Sequence, residues 1–519
     1  MARVEELGLD DLRDGVLWSK TERSPGSHDV SGGASQIGAL VGTGRVGSLT
    51  VFPQNPFYEA GQTVVSDAGI AAFAAHTAAL ALAFPDLPAI EVANEFNSTS
   101  FVSGPAKNAT PGERARLHAR HLAAIAARPE LANRRILGGA AHSVAAGFIW
   151  HVLDAGGAAH MDAVVVHPYT SPPERFADEV SVLRRHPAMA GLEVEVTEFG
   201  SRAIGQAADF FWRNYCAFAE AGVSRAAWYP LAPRGDGYAP LVAADLSLTP
   251  VGRAFLFAQS RASGTPAVVF RADPFTYGCV FGDHTAVIWG EPRDIEVLRP
   301  DLEVRTADLA PMKPPFSLAP ERVILLTTDG APLRLSADLR LGASSLAVDS
   351  FHQFGLPPSQ AVVGPTGLNF ERFLRLKDGD TALITCPGQD VPGRPWHPYL
   401  CSDTVQRFWL HARGFALGGS VEAPVALVHR LTTGSADPLD LQVSVDLNES
   451  TTDGVVVSVL LDGEMLDRRA VAQADVLDFK VVPLRPGQKI DIVLDPAAQP
   501  RGDSGRLRIS ARHAEEPAE

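Results

Sequence analysis

Between residues 11 and 230 the chain alternates short apolar runs with longer helix-forming segments, and that alternation leaves few folds open. Strands are expected over 11–18, 47–53, 88–95, 135–141, 161–168, 192–198 and 223–230. A short helix near 33–44 and longer ones over 66–84, 111–128, 144–156, 173–186 and 206–221 fall between them. Ser66 can cap one helix, Pro85 follows its end, and Thr110-Pro111 opens the next. Short Val-, Ile- and Ala-rich strands, buried on both faces, are what a parallel sheet covered by helices requires. Repetition of this unit favours an α/β chain folded as a closed (β/α)8 TIM barrel. An open doubly wound sheet would typically carry a Gly-rich phosphate loop after an early strand, and none stands out. The count yields seven strands, because a helix at Val4–Leu7 directly precedes the strand that carries Arg13. Either the first barrel strand lies upstream of this chain, or another segment fills its place.

At 519 residues the chain is too long for one core. Residues 1–260 are assigned to the barrel, with a closing helix at 245–258. After it the pattern changes to short strands at 267–271, 277–281, 285–290 and 322–327, which suggests a small β-sandwich over 261–335. Residues 336–519 alternate apolar and polar positions between turn signals and read as a second, jelly-roll-like β-sandwich. Trp396, His397, Tyr399 and Trp409 are its candidate sugar contacts, with the core as their plainer destination. Asp453, Asp491 and Asp503 match the spacing of no known calcium loop.

The net charge of −15 argues against nucleic acid as a partner and disfavours a strongly anionic substrate. No apolar run reaches the ~20 residues of a membrane helix, so no membrane partner is expected. The start, Met1-Ala2-Arg3-Val4-Glu5-Glu6, lacks the apolar stretch of a secretory signal. The expectation is a cytoplasmic protein, or a secreted one whose leader is absent from this chain. Four cysteines, Cys216, Cys279, Cys386 and Cys401, are too scattered for a disulfide framework or a zinc knuckle. Cys386 and Cys401 share a region where one bridge would form in an oxidising compartment; elsewhere they are free thiols.

In barrels of this kind chemistry gathers at the carboxyl ends of the strands. Those ends carry Arg13, Trp18, Asn94, Glu95, His142, His167, Tyr169, Glu198, Trp228 and Tyr229. Two glutamates delivered into one pocket can cleave a glycosidic bond by double displacement. Glu95 would act as general acid, which requires a desolvated site and a like charge nearby to keep it protonated. Glu198 would be the nucleophile, ionised with help from Arg13 and Tyr169. His167 would line the pocket, and the Trp228 indole offers a flat face to a sugar ring. Singly, each has a plainer reading: a solvated acid at a strand end, a turn residue, a core aromatic. The combination, in this order and at these strand ends, is harder to reach by chance.

The stretches "EVANEFN", "VVVHPYT", "EVEVTEFG" and "AAWYPL" resemble the fourth, sixth, seventh and eighth strands of the clan A retaining glycoside hydrolases. Family 39 is the most similar in feel, and "LRDGVLW" resembles its second strand. The resemblance extends over residues 1–335. It implies Glu95 as acid/base and Glu198 as nucleophile, with Asn94 on the sugar 2-hydroxyl. Arg13 would steady the nucleophile, His142, His167 and Tyr169 would support the substrate pocket, and Trp228 would be the sugar platform. It implies an oligo- or polysaccharide substrate and no metal or organic cofactor. Two rival readings use the same features: a non-catalytic carbohydrate-binding protein on a decayed barrel, and a transglycosidase with the same residues.

Overall fold

The computed structural model describes residues 4, 6–9, 11–34, 37–38, 41, 44–357, 368, 370–434, 437–451, 453–481, 485–499 and 502–514. The chain divides into two compact units, one of residues 1–260 with 387–397, the other of 261–386 with 398–519. The expected helix near 33–44 lies partly outside the described residues; Ile37, Gly38 and Val41 within it are helical.

The first unit is built on seven strands: β1 (Leu12–Val16), β2 (Val46–Val51), β3 (Ala89–Val92), β4 (Arg135–His142), β5 (Ala163–His167), β6 (Glu193–Phe199) and β7 (Arg225–Trp228). They pair in chain order, every pair parallel. Helices α1 (Asp67–Ala83), α2 (Pro111–Ala126), α3 (Ala146–Asp154), α4 (Pro173–Leu183) and α5 (Ala207–Ala221) separate the later strands, and α6 (Pro250–Arg261) follows the last. This is the expected TIM-type barrel, with its sheet one strand short of closure.

Local chemistry sets the helix limits. The Ser66 hydroxyl accepts from the Gly69 amide at the start of α1, and Thr110 and Glu113 form a reciprocal capping box on α2. At the far end of α5, Gly222 takes the left-handed conformation that stops a helix. The closing helix begins at Pro250, where the Thr249-Pro250 pair places its start, and the Thr249 hydroxyl caps it by accepting from the Gly252 amide. Trp18, expected at a strand end, instead opens a one-turn helix and is fully buried, its ring stacked on Tyr58 at 4.9 Å.

No described strand joins β1 to β7. Arg225 on β7 spans part of that gap with its side chain, donating to Asp11 at 2.7 Å and to Ser48 on β2 at 3.1 Å. It also donates to the fully buried Glu195 on β6 at 3.3 Å. No helix of the described residues is long and apolar enough to cross a membrane.

Among the described residues the second unit is all β apart from one helical turn at Leu335–Asp338 and the last residue of α6. A five-stranded and a three-stranded sheet share one apolar core that includes Val280, Ile288, Ile295, Leu326 and Leu339. An eight-stranded and a six-stranded sheet follow. Leu439–Leu447 alternates buried and exposed positions, the signature of a strand with one face inward. Tyr399 is buried, so it offers no stacking surface. Asp491 is held by Arg430 at 2.7 Å and Arg375 at 3.0 Å rather than facing Asp453 and Asp503.

The bridging role of Arg225 sets an expectation. Arg225→Ala should lower stability by about 1.5–3 kcal/mol, because the buried Glu195 loses a charged donor. Asp11→Asn, at the exposed end of the same contact, should cost no more than about 1 kcal/mol. Thermal and urea unfolding of the full chain measure both.

Candidate active site

The backbone at the strand ends is bent out of regular geometry, and the bends aim the side chains. Along β6 the alternation of Glu195 and Thr197 with Val194 and Val196 would send Glu198 toward the helices. A register shift between Val196 and Phe199 breaks the period there. Such a bulge re-aims the residue that follows it. A second shift lies in β4 between Gly138 and Ala141, where Gly139 has φ +81° and Ala140 φ +40°. It precedes His142. After β3, Ala93 (φ +67°) and Glu95 (φ +41°) both adopt the left-handed region, uncommon for residues with a Cβ. Strain of this kind persists only where the surroundings over-determine it, and it gathers at functional sites.

Arg13 on β1 is the hub. Its Nε and Nη2 donate to the two Glu91 oxygens at 2.7 and 2.9 Å. Nη1 donates to Glu198 at 2.7 Å, and Nη2 also reaches Asn94 Oδ1 at 2.7 Å. The second Glu198 oxygen accepts from the Tyr169 hydroxyl at 2.7 Å. Glu95 accepts on one oxygen from His142 Nδ1 at 3.1 Å and His167 Nδ1 at 3.2 Å. One oxygen of Glu95, one of Glu198 and one His167 nitrogen all lie within 4.8 Å of one another.

Hydrogen-bond directions fix one side of the His167 ring. Thr197 donates its hydroxyl proton to Glu91 at 3.2 Å, so it accepts from His167 Nε2 at 3.1 Å. The other ring nitrogen faces Glu95 at 3.2 Å; with that carboxyl ionised it donates, and the ring is an imidazolium. Burial alone would lower its pKa, but hydrogen bonds to Glu91 and Glu95 raise it to about 9. Burial likewise pushes the Glu95 carboxyl up, and hydrogen bonds from His142 and His167 overcome it and hold the group well below the carboxylate range. The expected protonated Glu95 is thus not the resting form: its neighbours are His142 and the charged His167 rather than a like charge. Burial also opposes the charge on Glu91, and Arg13 more than compensates. Burial, then the Glu198 charge, drives the Tyr169 hydroxyl upward, keeping it a neutral donor.

The structure therefore brings Arg13, Asn94, Glu95, His142, His167, Tyr169 and Glu198 into one hydrogen-bonded group. Trp228 stands apart from that group: it is 8% exposed, with its indole N–H donated to the Ala239 carbonyl at 2.9 Å and its ring edge-on to Phe199. It shares with Arg13, Asn94, Thr197 and Glu198 the wall of a cavity of about 820 Å³, whose far side is Leu9, Leu12 and Phe255. That cavity runs into the space between β1 and β7.

Several functional positions escaped sequence reasoning. Glu91 is completely buried beneath the pair; its signal was a carboxylate inside an otherwise apolar strand. Thr197 relays between Glu91 and His167 and had no signal of its own. Asn97 donates to the His142 carbonyl at 3.0 Å and accepts from the His142 amide at 2.8 Å, fixing the histidine's backbone. Glu95, His167 and Glu198 offer ligand-type atoms close enough for a cation. Both Glu198 oxygens are already engaged, and the Arg13 guanidinium beside them opposes a second positive charge.

No protein-family model matches the chain, and no curated protein matches it. Among solved structures it is similar to a family 39 glycoside hydrolase from the gut symbiont Bacteroides cellulosilyticus WH2, with 16% identity, a TM-score of 0.50, and coverage of 63% of this chain and 77% of that one. A family 39 β-xylosidase from Caulobacter crescentus, also at 16% identity, covers 63% of this chain and 91% of its own at a TM-score of 0.41. A family 30 subfamily 8 xylanase from Clostridium acetobutylicum, at 13% identity, covers 63% and 91% at 0.45. The chain has the fold of the clan A glycoside hydrolases, a barrel followed by β-sandwich sheets. At this identity the likeness to family 39 is one of fold.

The His167 imidazolium links stability to pH with a definite sign. Its folded pKa lies above the ordinary 6.5, so its contribution is complete below pH 6.5 and fades as pH rises through about 9. His167→Gln should cost about 3–5 kcal/mol at pH 6, since it removes the buried cation between Glu91 and Glu95. The gap in thermal midpoint between variant and parent should narrow on going from pH 6 to pH 9.5.

Proposed function

We propose that the protein is a retaining glycoside hydrolase acting on an oligo- or polysaccharide, with Glu198 as nucleophile and Glu95 as acid/base. The observation that carries this reading is the approach of Glu95 and Glu198 oxygens to within 4.8 Å, with Glu198 on the wall of an open cavity. Carboxyl groups ~5–5.5 Å apart leave no room for a water between nucleophile and sugar, whereas inversion needs ~6.5–9.5 Å.

In the first step Glu198 attacks the anomeric carbon while the glycosidic oxygen takes a proton from Glu95 and departs. Arg13 and Tyr169 hold the attacking carboxylate in line. In the second step Glu95 removes a proton from water, whose oxygen displaces Glu198 and releases the sugar with its configuration kept. The resting proton lies on His167, hydrogen-bonded to Glu95, so the two groups hold one transferable proton between them. A sugar packed over Glu95 displaces water from it and favours the neutral acid, moving that proton toward the leaving group. Loss of the shared proton sets the alkaline limb of the rate profile.

Two substitutions test the roles. Glu198→Gln should reduce kcat by at least about a thousandfold, and a 2-deoxy-2-fluoro glycosyl fluoride should label Glu198, read by peptide mapping. Glu95→Gln should be slow on sugar leaving groups, whereas on an aryl glycoside whose leaving group needs no protonation azide should restore turnover, giving a glycosyl azide of retained configuration. A label on another residue, or activity that survives Glu198→Gln, would overturn the assignment.

A further inference from the structure

Residues 387–397 belong to the barrel unit, although the chain on either side of them belongs to the other. The segment is closed at its base by the Cys386–Cys401 disulfide. Its seat on the barrel is built. The Gly147 amide at the start of α3 donates to the Gly388 carbonyl at 3.0 Å, and a Cβ at Gly147 would lie 2.5 Å from that oxygen. Gln389 accepts from Asn97 Nδ2 at 2.5 Å and donates to the Asn97 carbonyl at 3.2 Å. His397 lies 3.4 Å from the buried Glu179 of α4. Gly388 itself has φ +81°, and a side chain there would collide with the His397 backbone.

This seat delivers one aromatic ring to the site. The half-buried Trp396 meets the ring of His142 edge-on, with centroids 5.1 Å apart and planes at 87°. The same His142 ring donates to Glu95. Trp396 therefore approaches the pair through the proton donor, whereas the cavity wall of Arg13, Asn94 and Trp228 belongs to the nucleophile. In double displacement the group on the proton donor's side is the one that leaves. An indole with an open face is suited to the C–H face of a pyranose ring.

We infer that the disulfide-closed segment Pro387–His397 forms the leaving-group subsite, with Trp396 as the stacking face for the departing sugar. This rests on the glycosidase reading above. Gln389 is a positioning residue: it ties the segment to Asn97, which fixes the backbone of His142. The disulfide limits the segment's freedom, so the subsite is held ready before substrate arrives.

The test compares two substrates that share a glycone and differ in what leaves. A panel of glycosyl fluorides identifies the sugar the parent enzyme hydrolyses, and fluoride makes no demand on a leaving-group subsite. The disaccharide of that sugar does. Trp396→Ala should lower the ratio of kcat/KM on the disaccharide to kcat/KM on the fluoride by about tenfold. Trp396→Phe should recover most of that ratio. The Cys386→Ser, Cys401→Ser double variant should move the ratio the same way, through a higher KM for the disaccharide. An unchanged ratio, or equal losses on both substrates, overturns the subsite. A parent protein that hydrolyses neither substrate overturns the glycosidase reading and the subsite with it.

Discussion

One guanidinium, that of Arg13, holds the centre of the barrel together. It joins β1 to the buried Glu91 of β3, to Asn94 beyond it and to Glu198 on β6. Two carboxylates and an amide oxygen surround a single fixed cation, in a space where an unpaired charge would be costly. Removing that cation would leave Glu91 with no guanidinium to offset its burial. The bidentate geometry also sets the direction of Glu198, because a planar fork admits few orientations of its partner.

A second layer of the same network runs from Glu91 through Thr197 to His167 and Glu95. The hydroxyl of Thr197 fixes one side of the ring and Glu95 the other. Because that hydroxyl donates to Glu91, it accepts from His167 Nε2, and with Glu95 ionised the ring also carries a proton on Nδ1. The two glutamates of the pair are thus treated differently by their surroundings. Glu198 faces Arg13 and a neutral phenol, whereas Glu95 faces two imidazoles that can deliver or receive a proton. Environments that separate two carboxylates in this way are how one fold performs acid and nucleophile chemistry side by side.

The incomplete sheet does not undo this centre. The network spans β1, β3, β4, β5 and β6, so its members are fixed by strands that are present. The missing strand would have stood between β1 and β7, where Arg225 reaches across to Asp11 and Ser48. What the gap changes is the wall behind Glu198: Leu9, Leu12 and Phe255 line that side of the cavity.

Much of this was legible in the sequence. The strands from β2 to β6 are largely apolar runs buried on both faces, and such runs announce themselves locally, as do the caps at Ser66 and Thr110. The residues at the strand ends follow from the strands. Beyond that, local information fails for physical reasons. Period-two alternation predicts the wrong direction for Glu198, and only the bulge in β6 turns it. The charge state of Glu95 depends on His142 and His167, which come from two other strands, so desolvation alone gave the wrong sign. Trp396 and His397 read as residues of a distant sandwich, because nothing within a few positions of them records that Gly147 leaves room for their segment. The chain's own pattern determined which elements form and which side chains stand at their ends. The tertiary structure decided where those side chains point and where the proton rests, since both depend on atoms brought close by folding rather than by order along the chain.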